Sequence, residues 1–143
     1  MKLHNQKRNS KQWFVIPAAL ATVVTLAGHV SAQTIQTPLQ SRIEVSGMSG
    51  GSQSSSCGFI ANTPSQVLQV TEAFAPLDIR VTSSGDFTLF ISGPNGFNEC
   101  VMANNYDQGV INAPGLLNQG NYSIFVGDRN GQSNPYNLSI EQK

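Results

Sequence analysis

The chain has 143 residues, and its eight basic and eight acidic side chains cancel to a formal net charge of zero at pH 7. Half of the bases and both histidines, His4 and His29, precede residue 32. Residues 33–143 alone carry four bases against eight acids, a formal charge of −4 that disfavours nucleic acids and anionic membranes as partners. They also lack histidine, the commonest general base, so we expect no enzyme activity.

Residues 1–32 have the pattern of a secretory signal peptide. A basic start precedes an apolar stretch at 13–28, and Val30 and Ala32 occupy the two positions that a signal peptidase reads. The apolar stretch is shorter than the about 20 residues of a membrane-spanning helix, so cleavage after Ala32 is favoured over a retained anchor. No later stretch is apolar enough to span a membrane. We therefore expect a protein that is periplasmic or secreted.

Residues 33–56 are expected to be a polar tail followed by a linker. Within them only residues 42–45 predict a strand, and it is short. Residues 46–56 are nearly all glycine and serine, and such a composition buries too little apolar surface to offset the entropy lost on ordering. The folded domain is therefore expected to comprise residues 57–143.

The clearest structural signal is the alternation of apolar and polar residues between Pro76 and Val126. Three runs have every second residue apolar, at 77–81, 87–91 and 122–126. A tight turn at 83–85 separates the first two runs, so we expect them to form a hairpin. Alternation with a period of two, bounded by Gly, Pro and Asn, is typical of half-buried antiparallel strands.

Shorter segments extend this pattern over the rest of the domain. Four of them favour strands: residues 57–61, 66–74, 109–112 and 136–140. Residues 113–115 are predicted to be a turn, and residues 127–134 a long polar hairpin loop. Eight or nine short strands result, with no helix of any length. Their even spacing predicts an all-β fold, an antiparallel β-sandwich.

Cys57 and Cys100 are the only cysteines, and both lie in the expected domain. In an exported chain an even pair of cysteines predicts a disulfide. Closing a loop of this length contributes about 4 kcal/mol in the chain-entropy treatment. The alternative, half of a metal site, would need carboxylates in place of the usual histidine and cysteine partners.

Four short motifs follow one another in an order that resembles the bacterial pre-peptidase C-terminal (PPC) domain family. They are the strand at 86–91, the turn at 93–96, the strand start at 120–122 and the closing strand at 136–140. The resemblance covers roughly residues 68–141. It implies a jelly-roll-like β-sandwich, a fold that usually accompanies secreted proteases and in some members is thought to bind polymers or calcium. Because no protease domain is attached here, the resemblance implies a stand-alone accessory module.

One loop offers candidate ligands for calcium. Glu99, Asn104, Asn105 and Asp107 place hard oxygen donors close together in sequence, as calcium prefers. No EF-hand pattern is present, and asparagines are also common in loops because they suit turns. No other cofactor is expected. Tyr106, in the same loop, is a candidate to stack on a sugar, or else it packs beneath its own loop.

Asp128 and Arg129 are candidate binding residues at the polar tip predicted for residues 127–134. Such tips are where a sandwich presents a binding surface, although a solvated ion pair there would have little energetic value. The sequence thus predicts a non-catalytic binding module whose partner is an extracellular polymer or a secreted protein. Two alternatives are a structural protein of the cell envelope and an inhibitor of a secreted hydrolase that uses residues 93–98 or 127–134.

Overall fold

The computed structural model describes residues 32–104 and 108–143. Over these residues the fold is all-β, which confirms the predicted class, but it contains eleven strands rather than eight or nine. One 3-10 turn, Pro94–Gly96, connects two of them. The strands are β1 (Thr34–Gln36), β2 (Ile43–Met48), β3 (Gln53–Ser55), β4 (Gly58–Ile60), β5 (Gln66–Val70), β6 (Ala75–Thr82), β7 (Phe87–Ser92), β8 (Asn98–Met102), β9 (Val110–Leu117), β10 (Gly120–Asp128) and β11 (Pro135–Gln142).

The strands form a seven-stranded and a four-stranded sheet. In the larger sheet, β10 pairs with β7 along one side and with β5 and then β4 along the other, while β1, β3 and β8 lie further out. The smaller sheet has the order β2-β11-β6-β9. Among the described strands only β1 and β5 pair in parallel, an exception to the antiparallel arrangement that the sequence predicts.

The core lies between the sheets and consists of the residues whose alternation is visible in the sequence. The inward side chains of β6, β7 and β10 are at most 3% exposed: Leu77, Ile79, Val81, Phe87, Leu89, Ile91, Tyr122, Ile124 and Val126. Burying one such side chain contributes about 1.5–3 kcal/mol relative to leaving it in water. The apolar faces therefore determine how the two layers pack.

The two strands joined by the turn at 83–86 do not form the expected hairpin. β6 belongs to the smaller sheet and β7 to the larger, so the turn carries the chain across the core. The same is true of β10 and β11, which the loop at 129–134 connects. Alternation identifies the apolar face of a strand, and that face can be buried by a strand in the opposite layer as well as by a neighbour in the same sheet.

The expected boundary at Cys57 was wrong, because β1, β2 and β3 all lie within residues 33–56. The glycines of this segment mark close packing rather than flexibility. A Cβ on Gly47 would lie 2.7 Å from the hydroxyl oxygen of Tyr136, and a Cβ on Gly51 would overlap the backbone of Ile60. Gly50 has a φ of +78° and lies against the carbonyl of Gln132. The segment is therefore an integral part of both sheets.

β9 continues through residues 113–115, where the sequence predicts a turn. It is an edge strand and pairs only with β6, with Pro114 opposite Asp78. Proline is tolerated on a sheet edge because the N–H that it lacks has no neighbouring strand to reach. The turn to β10 comes only after Leu117.

The connections gather at two opposite ends of the sandwich. We call one the Asp128 end; it comprises residues 49–52, 83–86 and 129–134 together with 103–104 and 108–109. We call the other the Phe74 end; it comprises residues 37–42, 71–74, 93–97 and 118–119. These two ends are where the candidate sites lie.

Candidate functional site

A buried carboxylate organises the Asp128 end. Asp128 is the last residue of β10 and is 0% exposed. Its Oδ1 accepts hydrogen bonds from the backbone N–H groups of Asn130, at 2.8 Å, and Gln132, at 3.1 Å. Hydrogen bonds to an ionised acceptor are the stronger ones in proteins. They therefore hold the first half of the loop at 129–134 in one conformation.

The second half of the same loop is fixed by Ser49, which is only 2% exposed. The backbone N–H of Asn134 donates to the Ser49 hydroxyl at 3.0 Å, and the Ser49 N–H donates to the Asn134 carbonyl at 2.8 Å. Gly50, next in the chain, donates its N–H to the carbonyl of Val126. The loop is thus tied down by buried groups at both of its ends.

The outer surface of this end carries a fixed group of polar side chains. Arg129 donates from Nη2 to Oδ1 of Asp86 at 3.0 Å, and Asn130 donates from Nδ2 to Oδ2 of the same carboxylate at 2.6 Å. The Arg129 N–H also donates to the Asp86 carbonyl at 2.9 Å. The Arg129 and Asp86 side chains are 44% and 46% exposed, so this ion pair adds little stability. Its effect is to orient donors and acceptors toward solvent.

The two candidate residues of the tip lie in different environments. Arg129 is exposed, as the sequence predicts, but the exposed position expected for Asp128 was wrong. Asp128 follows Tyr122, Ile124 and Val126 at intervals of two residues, so its side chain lies on the same inward face of β10. Sequence reasoning also missed a second signal: a carboxylate or amide at every second position, Asp128, Asn130, Gln132 and Asn134.

The structure does not bring Glu99 and Asn104 together as calcium ligands. Glu99 lies opposite Ile91 on β8, and the ladder continues to Ala103, whose N–H donates to the Phe87 carbonyl. Four extended residues span about 13 Å, whereas calcium–oxygen bonds measure about 2.3–2.6 Å. Asn104 instead lines a cleft beside residues 83–87.

The other residues of that loop, Asn105, Tyr106 and Asp107, lie outside the described residues. A calcium site that uses them with Asn104, and a sugar-stacking role for Tyr106, therefore stay predictions. Across residues 32–104 and 108–143, no three His, Cys, Asp or Glu side chains gather in a way that would hold a metal ion.

The predicted disulfide between Cys57 and Cys100 is confirmed, with the two α-carbons 5.6 Å apart. Cys57 is fully buried between β3 and β4, and its carbonyl accepts a hydrogen bond from the Thr88 hydroxyl at 2.8 Å. Cys100 lies on β8, an outer strand that pairs with β7. The bond therefore links two separate parts of the larger sheet, the connection between β3 and β4 and the outer strand β8.

The Phe74 end is held by a second carboxylate, that of Glu72. Its Oε2 accepts hydrogen bonds from the hydroxyls of Thr37, at 2.5 Å, and Thr71, at 3.1 Å, and its Oε1 accepts one from the Gln142 amide at 2.5 Å. The Thr37 bond is the main reason that the pKa of Glu72 lies below its usual value. The network links the segment after β1 to the last strand.

A fixed turn lies near this network. The Gly93 N–H donates to the Phe97 carbonyl at 2.8 Å, and the Phe97 N–H donates to the Pro94 carbonyl at 3.1 Å. The ring of Phe97 meets the ring of Tyr122 edge-on, with centroids 5.6 Å apart. The Tyr122 hydroxyl donates to the Asn118 carbonyl at 3.0 Å, and burial raises the pKa of Tyr122.

Comparison with known proteins identifies a relative by sequence. Over 133 residues the chain is 35% identical to an uncharacterised protein of Synechococcus elongatus, an alignment that covers 90% of this chain and 94% of that protein. The chain belongs to that protein's family. The family relationship spans nearly the whole length of both members. No family model matches the chain.

Solved structures give more distant likenesses. The pre-peptidase C-terminal domain of a Bacillus anthracis collagenase is 18% identical, with a TM-score of 0.48, over 77% of this chain and 96% of that domain. PliG of Salmonella Typhimurium, a periplasmic inhibitor of g-type lysozyme, is 14% identical, with a TM-score of 0.41, over 79% of this chain and all of that one. At these values the likenesses assign neither a family nor a function, so membership of the PPC family stays a prediction.

None of the residues that the structure describes belongs to a helix with the length and apolarity needed to cross a bilayer. The signal peptide and its cleavage site concern residues 1–32, nearly all of which lie outside the described part of the chain.

Proposed function

We propose that the protein is an exported, non-catalytic binding module whose partner binds at the Asp128 end. One observation carries the proposal: buried groups fix the loop at 129–134 at both of its ends, while Arg129, Asn130 and Asp86 face solvent. Polar groups that are already ordered lose little conformational entropy on binding, and rigidly supported loops are frequent binding surfaces.

Two further features support the export of the module. The Cys57–Cys100 disulfide suits an oxidising compartment outside the cytoplasm. The basic and apolar pattern of residues 1–32 is that of a secretory signal. Together they support a location in the periplasm or outside the cell.

The chemistry of the exposed group favours a hydroxyl-rich extracellular polymer as the partner. Arg129 and Asn130 supply N–H donors, and the carboxylate of Asp86 supplies acceptors, so neighbouring groups of both kinds are available within one small area. A polysaccharide hydroxyl both donates and accepts, and adjacent hydroxyls match such a pair. A charged protein surface is the other partner class that this group suits.

The test is co-sedimentation of purified protein with cell-wall and exopolysaccharide material from the producing bacterium. We expect the double variant Arg129→Ala, Asn130→Ala to bind at least about tenfold more weakly, because it removes two side-chain donors whose hydrogen bonds to the polymer contribute about 1 kcal/mol each. The matched control is Arg42→Ala. Arg42 also forms an exposed 3.0 Å ion pair, with Glu141, but it lies away from the Asp128 end. Absence of binding by the parent protein, or an equal loss in the control, would contradict the proposal.

The fixed turn at 93–97 favours a second candidate, an inhibitor of a secreted hydrolase. Two backbone hydrogen bonds and the Phe97–Tyr122 contact hold this turn rigid while Asn95 and Gly96 are exposed. The check is inhibition of a panel of secreted peptidases and peptidoglycan hydrolases. Asn95→Gly is the informative variant, because it removes the side chain and still allows the φ of +57°. A structural envelope protein would give no binding and no inhibition in either assay.

A further inference from the structure

One oxygen of the buried Asp128 carboxylate accepts no hydrogen bond from the loop at 129–134. Oδ1 accepts two backbone hydrogen bonds, whereas Oδ2 is buried and has no hydrogen-bonding partner among the described residues. A buried carboxylate oxygen without a partner is costly, so structures usually satisfy it with a donor, a water molecule or a cation.

Other polar atoms lie near this oxygen, around the position of a Cβ on Gly85. A Cβ placed on Gly85 would lie 3.0 Å from Nδ2 of Asn134, 3.6 Å from Oε1 of Gln132 and 3.8 Å from Oδ2 of Asp128. Gly85 has no side chain and a φ of +74°, so the region above its α-carbon is lined by side-chain amides and the carboxylate. Rotation of the Asn134 amide by half a turn would present its oxygen in place of its nitrogen.

We propose that a calcium ion binds between Gly85 and Asp128, with ligands from Oδ2 of Asp128, Oε1 of Gln132 and the amide oxygen of Asn134. Calcium accepts carboxylate and amide oxygens in irregular arrangements and completes its shell with water. Magnesium requires a nearly ideal octahedron and gives up its water reluctantly, so it fits this set less well. With a single carboxylate, the site belongs with extracellular calcium modules, whose Kd is about 0.1–1 mM.

Neighbouring charges permit a cation here. The nearby base, Arg129, is paired with Asp86, and Asp86 adds a second carboxylate to the same end of the sandwich. The side chain of Gln132 is exposed and that of Asn134 is partly exposed, so neither amide is locked in the core. This site is separate from Glu99, Asn104, Asn105 and Asp107, and it does not depend on the polymer partner proposed above.

The experiment is calorimetric titration of the purified protein with calcium chloride, together with thermal melts from 0 to 10 mM calcium. We expect a Kd of about 0.1–1 mM and a rise in Tm of about 5 °C at 10 mM. Magnesium chloride is expected to give a weaker response. Absence of heat and of a Tm shift with calcium would overturn the proposal, whatever the polymer assay shows.

Two pairs of variants locate the site. Gln132→Ala with Asn134→Ala should weaken calcium binding at least tenfold, while Glu99→Gln should bind like the parent. Gly85→Ala should abolish binding by placing a methyl group in the site. Gly96→Ala is its matched control, because Gly96 has the same φ of +74° and nothing within 4 Å of its Cβ position. Unchanged binding in Gly85→Ala or in the double variant, or its loss in Glu99→Gln, would overturn the assignment.

Discussion

Each end of the sandwich is held by one carboxylate, and the two carboxylates act over different distances along the chain. Asp128 is fully buried and receives backbone N–H groups from two and four residues further on. Glu72 is partly exposed and receives side chains that lie 35 and 70 residues away. The first arrangement shapes one loop, whereas the second joins distant segments.

Because of this difference, we assign polymer binding to the Asp128 end and a contribution to stability to the Phe74 end. At the Asp128 end the carboxylate is hidden and the loop that it shapes displays Arg129 and Asn130. At the Phe74 end both oxygens of the carboxylate accept hydrogen bonds within the network, and two large apolar side chains are exposed, Phe74 at 63% and Leu116 at 64%. We therefore expect substitutions at the Asp128 end to change both stability and polymer binding, and those at the Phe74 end to change stability but not polymer binding.

The largest expected effect is that of Asp128→Ala. It removes the acceptor from the N–H groups of Asn130 and Gln132 in a buried setting, at a cost of about 3 kcal/mol in the free energy of unfolding. It should also abolish polymer binding, because the loop loses its fixed shape. Urea denaturation and the co-sedimentation assay measure the two effects.

The matched change at the other end is Glu72→Gln, which we expect to be milder and to leave polymer binding intact. If Glu72→Gln destabilises the protein as much as Asp128→Ala, or if it weakens binding, the division between the two ends is wrong.

A smaller loss is expected from Gly93→Ala at the Phe74 end. A Cβ there would lie 2.5 Å from two carbons of the Tyr122 ring, which Phe97 already contacts from another side. Overpacking of this kind costs about 2 kcal/mol. Gly115→Ala is the control, since nothing lies within 4 Å of its Cβ position. Equal unfolding free energies for the two variants would show that the turn yields without cost.

The sequence predicted the strands whose inward residues alternate strictly, such as 77–81 and 122–126, and it predicted the disulfide. It could not assign strands to sheets, because a buried face is satisfied by a partner in either layer. Composition also misled at residues 46–56: the glycines there are required by contacts with Tyr136, Gln132 and Ile60, which belong to segments distant in sequence.

Only part of the candidate site could likewise be predicted from the sequence. Arg129 was predicted at an exposed tip, but its partner Asp86 lies 43 residues earlier, and no local pattern connects the two. The spacing of two residues between Val126 and Asp128 was visible in the sequence, and it indicates that the Asp128 carboxylate points inward. The burial of the unpartnered Asp128 oxygen beside Gly85 depends on how the connections at 49–52, 83–86 and 129–134 meet. The spacing of residues in the sequence does not reveal this.

The smallest effect is a dependence of stability on pH that comes from the Phe74 end. Hydrogen bonds from Thr37 and then Gln142 lower the pKa of Glu72, and a hydrogen bond from Arg42 followed by the charge of Lys143 lowers that of Glu141. Because the pKa of each group is lower in the folded state than in the unfolded state, each contributes stability that is present above the unfolded value of about 4.3. That contribution is lost as the pH falls through the lower, folded pKa.

Thermal melts between pH 7 and pH 3 should therefore show a decline that begins near pH 4.3 and becomes shallower in Glu72→Gln. Glu99→Gln serves as the control, because it makes the same carboxyl-to-amide change at an exposed position on β8, outside the Glu72 network. If Glu72→Gln declines as steeply as the parent protein, the acid sensitivity arises elsewhere.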